Sequence, residues 1–335
     1  MKALELINQE TLATVEVPIP QPTDGEILIK TAYAGICRTD RKCYRMGQQD
    51  LHLPRILGHE ITGVITAMGY QIGNSVQIHP GIGCGVCTDC QNDHDQICKD
   101  MQIFGFHLDG GFAEYCLIPA KGVRRGIVQK VPATIDLKTA TLCEPLACAI
   151  NMEERLKFTK TDALLIIGGG VLGLLTATLA RLKGIEQLAI IEKNPYKIKI
   201  AHELGFPCYP HTISQEELLL DFSRGFDIAI PCCPDNQGFI TGINYLKKRG
   251  RCGFFSGLTG ENLLEGKLLN QIHYKELALY GSYGCGLQHS RKALRLLAQH
   301  HEKFNFPTNI IKLEEVSTVI GNMEIENTIF TIIEF

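Results

Sequence analysis

The chain has 335 residues, a formal net charge of -3 at pH 7 and 45% hydrophobic residues, proportions typical of a globular protein with two domains. This charge offers no basic surface for nucleic acid and no polybasic membrane anchor. The first residues lack the long apolar segment of a signal peptide, so the expected location is cytoplasmic. Because the cytoplasm is reducing, the 14 cysteines indicate metal ligation or buried thiols rather than disulfides.

The first third of the chain has the pattern of a β-rich domain. Residues 26–32 alternate in hydrophobicity after a Pro-Thr-Asp-Gly turn, and further strands are predicted at 61–65, 75–79 and 112–118, with no helical periodicity between them. From about residue 144, predicted helices and strands alternate, which is typical of a parallel sheet covered by helices. A helix over 290–303 and a strand over 327–335 are predicted at the end. The predicted fold class is α/β.

One uncharged stretch, residues 163–180, has the length of a membrane span. Three consecutive glycines interrupt it, and they would weaken an isolated helix in a bilayer. A buried strand, a glycine turn and a buried helix account for it better.

Four cysteines are spaced closely enough to surround one metal ion: Cys84, Cys87, Cys90 and Cys98. Zinc favours four thiolates in a tetrahedron, and a closed site of this kind is structural. The alternatives are free thiols, which are an oxidation liability on a loop, or an iron–sulfur cluster. The spacing favours structural zinc.

A G-x-G-x-x-G pattern follows the first strand of the alternating region, at Gly168, Gly170 and Gly173. In a Rossmann unit such glycines form the turn, admit the pyrophosphate and allow the helix to pack on the strand. Val171 and Leu172 would begin the helix whose N-terminus faces the phosphates. The alternative is a glycine-rich packing turn without a cofactor.

An acidic residue ends the next predicted strand. Glu192 lies 192 − 168 = 24 residues after the first glycine, where a carboxylate can bind the adenosine ribose hydroxyls and repel a 2′-phosphate. Lys193 beside it can partly compensate that repulsion. NAD is therefore the predicted cofactor, rather than NADP.

A second set of metal donors lies outside the cysteine cluster. Cys37 offers sulfur and His59 offers nitrogen, although a lone histidine is more often a core residue than a ligand. Glu60 or Glu144 can supply a carboxylate, and Cys143 is a competing thiol. Three protein ligands with an open fourth position are typical of catalytic zinc.

The chain resembles the zinc-dependent medium-chain dehydrogenases, the alcohol and polyol dehydrogenase family, and in particular its sorbitol and L-iditol dehydrogenase branch. The matching stretches stand in the family's order over most of the chain: GICRTD (35–40), LGHE (57–60), the four cysteines, DGGFAEY (109–115), EPLACAI (144–150), GGGVLG (168–173) and GSYG (281–284).

The resemblance implies a fold and its domain boundaries. A GroES-like catalytic domain would comprise residues 1–145, with the structural zinc lobe at about 82–100. A Rossmann NAD-binding domain of doubly wound parallel sheet would follow at 146–285, and residues 286–335 would return to the catalytic domain. The active site would lie in the cleft.

The resemblance also implies metal ligands. Cys37 and His59 match the family's catalytic zinc ligands. Glu60 and Glu144 both match family positions, and which of them binds zinc stays open. The EPL pattern favours Glu144 over Cys143.

Four neighbours of Cys37 receive roles in the same way. Thr39 matches the hydroxyl that starts the proton relay, and Asp40 the carboxylate that orients the zinc histidine. Arg38 resembles an arginine that reaches the cofactor pyrophosphate. Lys42 stands where many members end the relay with a histidine, so the end of the relay is undetermined. The alternative for Thr39, Asp40 and Arg38 is a strand-end residue with local bonds, whereas Lys42 could bind an anionic or hydroxyl-rich group or simply lie in solvent.

The expected function is oxidation, with NAD and two zinc ions per chain, of a secondary alcohol on a polyol, sugar, sugar phosphate or aminocyclitol. One alternative is a threonine-like amino-alcohol dehydrogenase, and another is a non-catalytic NAD-binding redox sensor. The expected partners are a small-molecule alcohol and further copies of the chain, as a homodimer or homotetramer, with neither nucleic acid nor membrane.

Overall fold

The computed structural model describes residues 1–48, 50–67, 72–222, 224–258, 266–322 and 327–335. The chain divides into two compact units. The first unit is Met1–Ala147 with Cys285–Phe335, and the second unit is Cys148–Gly284.

The first unit is built mainly from short strands. Up to the unit boundary these are β1 (Lys2–Asn8), β2 (Thr11–Glu16), β3 (Ile27–Gly35), β4 (Arg55–Ile56), β5 (Glu60–Ala67), β6 (Ser75–Ile78), β7 (Gly81–Ile82), β8 (Gln102–Ile103), β9 (Tyr115–Ile118) and β10 (Val128–Lys130). The helices among them are α1 (Arg38–Met46), α2 (Thr88–Gln91), α3 (Ala120–Arg125), α4 (Leu137–Ala140) and α5 (Cys143–Leu156), whose later residues belong to the second unit.

The second unit alternates strands and helices. Its strands are β11 (Ala163–Ile167), β12 (Gln187–Glu192), β13 (Cys208–Pro210), β14 (Phe226–Pro231), β15 (Leu246–Phe254) and β16 (Ala278–Gly281). Its helices are α6 (Val171–Leu182), α7 (Pro195–Glu203), α8 (Gln215–Asp221), α9 (Asn236–Tyr245) and α10 (Gly266–Tyr274). The chain then completes the first unit with α11 (Leu287–His300), β17 (Thr308–Ile311), α12 (Val316–Asn322) and β18 (Phe330–Glu334).

The largest sheet of the first unit has the strand order β10-β6-β5-β3-β18-β17, with β9 also paired to β3. β3 and β5 are antiparallel, and Gly35 lies opposite Glu60. The residues just after β3 and just before β5 therefore meet at one end of this strand pair. β18, from the C-terminal segment, pairs antiparallel with β3.

The second unit contains a parallel sheet of order β13-β12-β11-β14-β15-β16. After β11 the chain proceeds to β12 and β13 on one side, and it then returns to β14 on the other side of β11. Nucleotides bind at such a reversal of strand order, beyond the carboxyl ends of the strands. β11 is an unbroken apolar run because helices cover both faces of such sheets, and Leu164, Leu165 and Ile166 are fully buried.

The uncharged stretch at 163–180 forms β11, a glycine turn and most of α6, as predicted. Among the described residues, no helix is both long enough and apolar enough to cross a membrane. The first third differs from the prediction because it contains short helices. In α1 only Asp40 and Cys43 are buried, so this helix has no apolar periodicity to reveal it.

Candidate active site

Three potential metal donors meet where β3 ends and β5 begins. The Sγ of Cys37, a ring nitrogen of His59 and a carboxylate oxygen of Glu60 all lie within 4.8 Å of one another. The pairing of Gly35 with Glu60 explains this, because Cys37 stands two residues after β3 and His59 one residue before β5. His59 and Glu60 are only 6% and 2% exposed. This group is called the β3–β5 donor group below.

Asp40 connects two members of this group. Its Oδ2 accepts a 2.8 Å hydrogen bond from the backbone N–H of Cys37, the residue just before α1. Its Oδ1 lies 3.4 Å from Nδ1 of His59. One buried carboxylate thus holds the backbone of the thiol donor and faces the ring of the imidazole donor.

The electrostatics of the donor group favour a bound cation. Burial raises the pKa of Cys37 and of Glu60, and the Glu144 charge raises that of Glu60 further. Burial also opposes protonation of His59, but the Asp40 carboxylate and the Cys37 sulfur together outweigh burial and leave the pKa of His59 well above its usual value. A thiolate and a carboxylate buried together require a compensating positive charge, which a divalent metal supplies.

The carboxylate of Glu60 is left without hydrogen bonds on one side. Its Oε2 is buried and has no hydrogen-bond partner among the described residues. A Cβ on Gly35 would lie 1.8 Å from this oxygen, so only glycine leaves room for it. An unpartnered buried carboxylate oxygen beside a thiol and an imidazole fits a metal ligand.

Glu144 lies near the donor group without being one of the three residues within 4.8 Å of one another. It is close enough for its charge to raise the pKa of Glu60, and its Oε1 is 4.0 Å from the Sγ of Cys285. Cys143 is directed elsewhere, since its Sγ donates to the Ser290 carbonyl at 3.3 Å.

The remaining site residues predicted near Cys37 lie on α1. The Oγ1 of Thr39 is 3.5 Å from the Sγ of Cys37, at hydrogen-bonding distance for sulfur. Arg38 and Lys42 are exposed on this helix. The structure therefore places Thr39 beside the donor group and gives Arg38 and Lys42 access to solvent.

The four clustered cysteines converge in the first unit. Their Sγ atoms lie within 4.8 Å of one another, with Cys84–Cys90 at 3.9 Å and Cys87–Cys98 at 3.8 Å. A zinc tetrahedron with ~2.3 Å bonds has sulfur–sulfur edges of about 3.8 Å. Backbone N–H groups of Val86 and Cys87 lower the pKa of Cys84 to about 6, which favours the thiolate.

The glycine-rich loop of the second unit has the geometry of a phosphate site. Gly168 has φ +108°, which favours glycine, and a Cβ on Gly173 would lie 1.9 Å from the Gly168 carbonyl oxygen. Gly170, the residue just before α6, has φ −75°, and a Cβ there would meet nothing within 4 Å. The first and third glycines are required by the fold, whereas the second leaves open space at the helix N-terminus.

Glu192 closes this loop from the end of β12. Its carboxylate accepts hydrogen bonds from the backbone N–H groups of Gly169 at 2.6 Å, Lys193 at 2.7 Å and Asn194 at 2.9 Å. The side chain is 8% exposed, and Lys193 is exposed. A negative charge is thus fixed beside the glycine turn.

Two contributors to the site were not predicted from the sequence. Gly35 is required by the carboxylate of Glu60, and its only sequence signal was its place in GICRTD. The Phe106 ring stacks on His59 with ring centroids 5.9 Å apart. Phe106 is distant from His59 in the sequence, so no local pattern relates the two.

Comparison with known proteins identifies the family. The alcohol dehydrogenase GroES-like domain matches residues 23–129, and the zinc-binding dehydrogenase domain matches residues 171–299. L-threonine 3-dehydrogenase of Bacillus subtilis strain 168 is 30% identical over 283 residues, covering 80% of this chain and 79% of its own. L-galactonate-5-dehydrogenase of Escherichia coli K12 is 28% identical over 291 residues, covering 84% and 82%.

A solved structure agrees with these matches. A protein described as a zinc-binding dehydrogenase of Sinorhizobium meliloti 1021, bound to NADP, superposes with a TM-score of 0.88 at 28% identity, covering 100% of this chain and 99% of the other. The chain belongs to the zinc-dependent medium-chain alcohol dehydrogenase family. The predicted family and the predicted GroES-like and Rossmann α/β fold are therefore confirmed, and zinc is confirmed as the metal of this family.

Proposed function

We propose that the protein catalyses NAD-dependent oxidation of a secondary alcohol at a zinc ion held by the β3–β5 donor group. The observation that carries this proposal is the convergence of Cys37, His59 and Glu60 in a buried group that also contains an unpartnered carboxylate oxygen. The four-cysteine cluster would hold a separate, structural zinc ion. A non-catalytic redox sensor would have no need of the donor group in addition to that cluster.

Zinc, when bound, supplies the Lewis acidity that makes the substrate hydroxyl a stronger acid, and the nicotinamide ring accepts the hydride. Thr39, whose Oγ1 lies beside the Cys37 thiol, would relay the hydroxyl proton: Oγ1 would accept it while the hydroxyl's own proton passes outward to solvent. Asp40 would keep His59 in the orientation that presents its other nitrogen to zinc, because the Asp40 carboxylate faces Nδ1. The products are a ketone, NADH and a proton.

Glu60 is the better supported of the two carboxylate ligands. It lies within 4.8 Å of both Cys37 and His59, and Gly35 makes room for it. Glu144 would then act from nearby through its charge. Glu60→Gln should reduce the zinc content of this site more than Glu144→Gln, as measured by metal analysis, and the reverse order would assign the ligand to Glu144.

NAD is the proposed cofactor because of the hydrogen bonds of Glu192. A carboxylate fixed by three backbone N–H groups cannot move away from an added 2′-phosphate. The Sinorhizobium protein is bound to NADP, so a relative of this chain accepts the phosphorylated cofactor. Glu192→Ala should narrow the preference for NAD over NADP in titrations, and an unchanged preference would contradict this role. Val171, Leu172 and the Gly170 backbone would face the pyrophosphate, as would the Arg38 guanidinium.

The proposed substrates are polyols, sugars or sugar acids, as the relationship to L-galactonate-5-dehydrogenase supports. The relationship to L-threonine 3-dehydrogenase supports a threonine-like amino alcohol as a second candidate. Galactonate and threonine both carry a carboxylate, and exposed Lys42 on α1 is available to an anionic group. Lys42→Met should then raise KM for acidic substrates and leave KM for neutral polyols unchanged.

A substrate panel tests the proposed function. Purified protein with NAD would be offered neutral polyols, sugar acids, sugar phosphates and L-threonine, with NADH formation followed at 340 nm. Turnover of a polyhydroxylated compound that is abolished by chelation supports the polyol function, and turnover of L-threonine alone supports the second candidate. One zinc ion per chain, together with absence of turnover across the panel, would favour the sensor.

We further propose that the first unit is the catalytic domain and that the second unit is the NAD-binding domain. We also propose that the protein acts in the cytoplasm and that copies of the chain associate as a homodimer or homotetramer. Gel filtration with light scattering tests the oligomeric state.

A further inference from the structure

The four-cysteine cluster and the donor group lie in the same unit, and the first turn of α11 has contacts toward both. The loop that carries the four cysteines, residues 84–98, contacts this turn from one side. Gln288 donates to the Asp93 carbonyl at 2.8 Å, and a Cβ on Gly286 would lie 2.6 Å from Asp95 Oδ1. The loop and the start of the helix are thus in direct contact.

The central contact is made by the Asp95 side chain. Asp95 is 5% exposed, and its Oδ1 and Oδ2 accept from the Leu287 backbone N–H at 3.1 and 3.4 Å. These oxygens are the only acceptors of that N–H among the described residues. The positive end of a 14-residue helix stabilises the carboxylate, and the carboxylate satisfies a donor that the helix itself leaves open. His79, fully buried, has its Nε2 4.0 Å from the same carboxylate.

The other contacts of this turn lie toward the donor group. Cys285, which precedes the turn, has its Sγ 4.0 Å from Glu144 Oε1. Ser290 accepts from the Cys143 thiol through its carbonyl at 3.3 Å. Cys285 and Ser290, which lie on either side of Leu287, therefore contact the first two residues of α5: Cys285 is near Glu144, and Ser290 is hydrogen-bonded to Cys143.

We infer that Asp95 is a positioning residue: it ties the zinc-loaded cysteine loop to the first turn of α11 and, through that turn, holds Glu144 beside the donor group. This inference rests on the proposed function for its two zinc sites. It predicts that loss of zinc from the cysteine cluster lowers turnover, because the loop would then no longer hold the start of α11, and that turn would no longer hold Glu144.

Two variants of Asp95 and one control test the inference. Asp95→Ala removes the acceptor, whereas Asp95→Asn keeps an acceptor oxygen and loses the charge. Asp100→Asn removes an exposed carboxylate just after the same loop and is the matched control. Hydrogen exchange of the Leu287 amide and the steady-state constants are measured in full-length protein with its zinc content verified.

The Leu287 amide should exchange about tenfold faster in Asp95→Ala, the size expected for a lost helix N-terminal acceptor. Asp95→Asn should restore part of the protection, and removal of zinc from the cysteine cluster of the wild type should also accelerate exchange. In Asp95→Ala, kcat should fall while KM changes less than about twofold, because the substrate contacts stay in place. Asp100→Asn should match the wild type in every measurement.

Two results would overturn the inference: wild-type exchange at Leu287 in folded Asp95→Ala, or a kcat for Asp95→Ala equal to that of Asp100→Asn. The exchange measurement needs no substrate. A wild-type protein that oxidises nothing would therefore refute the proposed function while the exchange data still test the connection between loop and helix.

Discussion

Two glycines of the G-x-G-x-x-G pattern should respond differently to the same small substitution. In Gly173→Ala the new Cβ would lie 1.9 Å from the Gly168 carbonyl oxygen, a backbone atom that cannot rotate away. Overpacking costs about 1–3 kcal/mol and occasionally more, and a clash with a fixed backbone oxygen belongs at the upper end, about 3 kcal/mol or above. Alanine in place of glycine inside a helix returns at most about 1 kcal/mol. We therefore expect Gly173→Ala to lose at least about 2 kcal/mol of the free energy of unfolding.

Gly170→Ala is the matched partner. A Cβ there meets nothing within 4 Å, and φ of −75° suits alanine, so stability should change by less than about 1 kcal/mol. The new methyl group would, however, occupy the space proposed for the pyrophosphate, and NAD affinity should fall at least about tenfold. Urea unfolding measures the first quantity and calorimetric titration with NAD the second. Wild-type stability of Gly173→Ala, or wild-type NAD affinity of Gly170→Ala, would refute this reasoning.

Two further predictions concern the metal-free protein. The pKa of His59 is raised in the folded state, so protonation of His59 stabilises the fold. This contribution to the free energy of unfolding is complete below pH ~6.5, the pKa of an unfolded histidine, and it is lost as pH rises through the folded-state pKa. Asp40→Asn should remove most of this pH dependence of the free energy of unfolding, measured by urea titration above pH ~6.5. An identical pH dependence in the variant and the wild type would contradict the role of Asp40. At pH 7 iodoacetamide should modify Cys84, with a pKa of about 6, well before buried Cys116, whose pKa burial raises to about 12. Mass spectrometry measures the order in which the two cysteines are modified, and added zinc should protect Cys84. Faster modification of Cys116 would show that the backbone N–H groups do not activate Cys84.

The fold class was predictable because its signals are local. The apolar run of β11, the three glycines and the apolar start of α6 stand next to one another in the sequence, so the strand-turn-helix unit follows from them. The sequence pattern does not predict α1, because this helix is polar on almost every side. The helical arrangement of Arg38, Thr39 and Lys42 is therefore evident only from the structure.

The geometry of the site depends on pairings between distant residues. No local pattern indicates that Gly35 lies opposite Glu60, yet that register is what brings Cys37 to His59. The contact of Asp95 with Leu287 joins residues 192 positions apart, and the resemblance to the family gave no role to either. Sequence patterns identified the donor types, and the sheet register determines which of them meet.

Cys37 is proposed to hold a zinc ion that is separate from that of the cysteine cluster and is required for turnover, and metal analysis of Cys37→Ser alongside the wild type tests this most directly. We expect two zinc ions per wild-type chain and one in a folded Cys37→Ser protein that still binds NAD but no longer reduces it. Two zinc ions in Cys37→Ser together with undiminished turnover would show that Cys37 is not a ligand of a catalytic zinc ion.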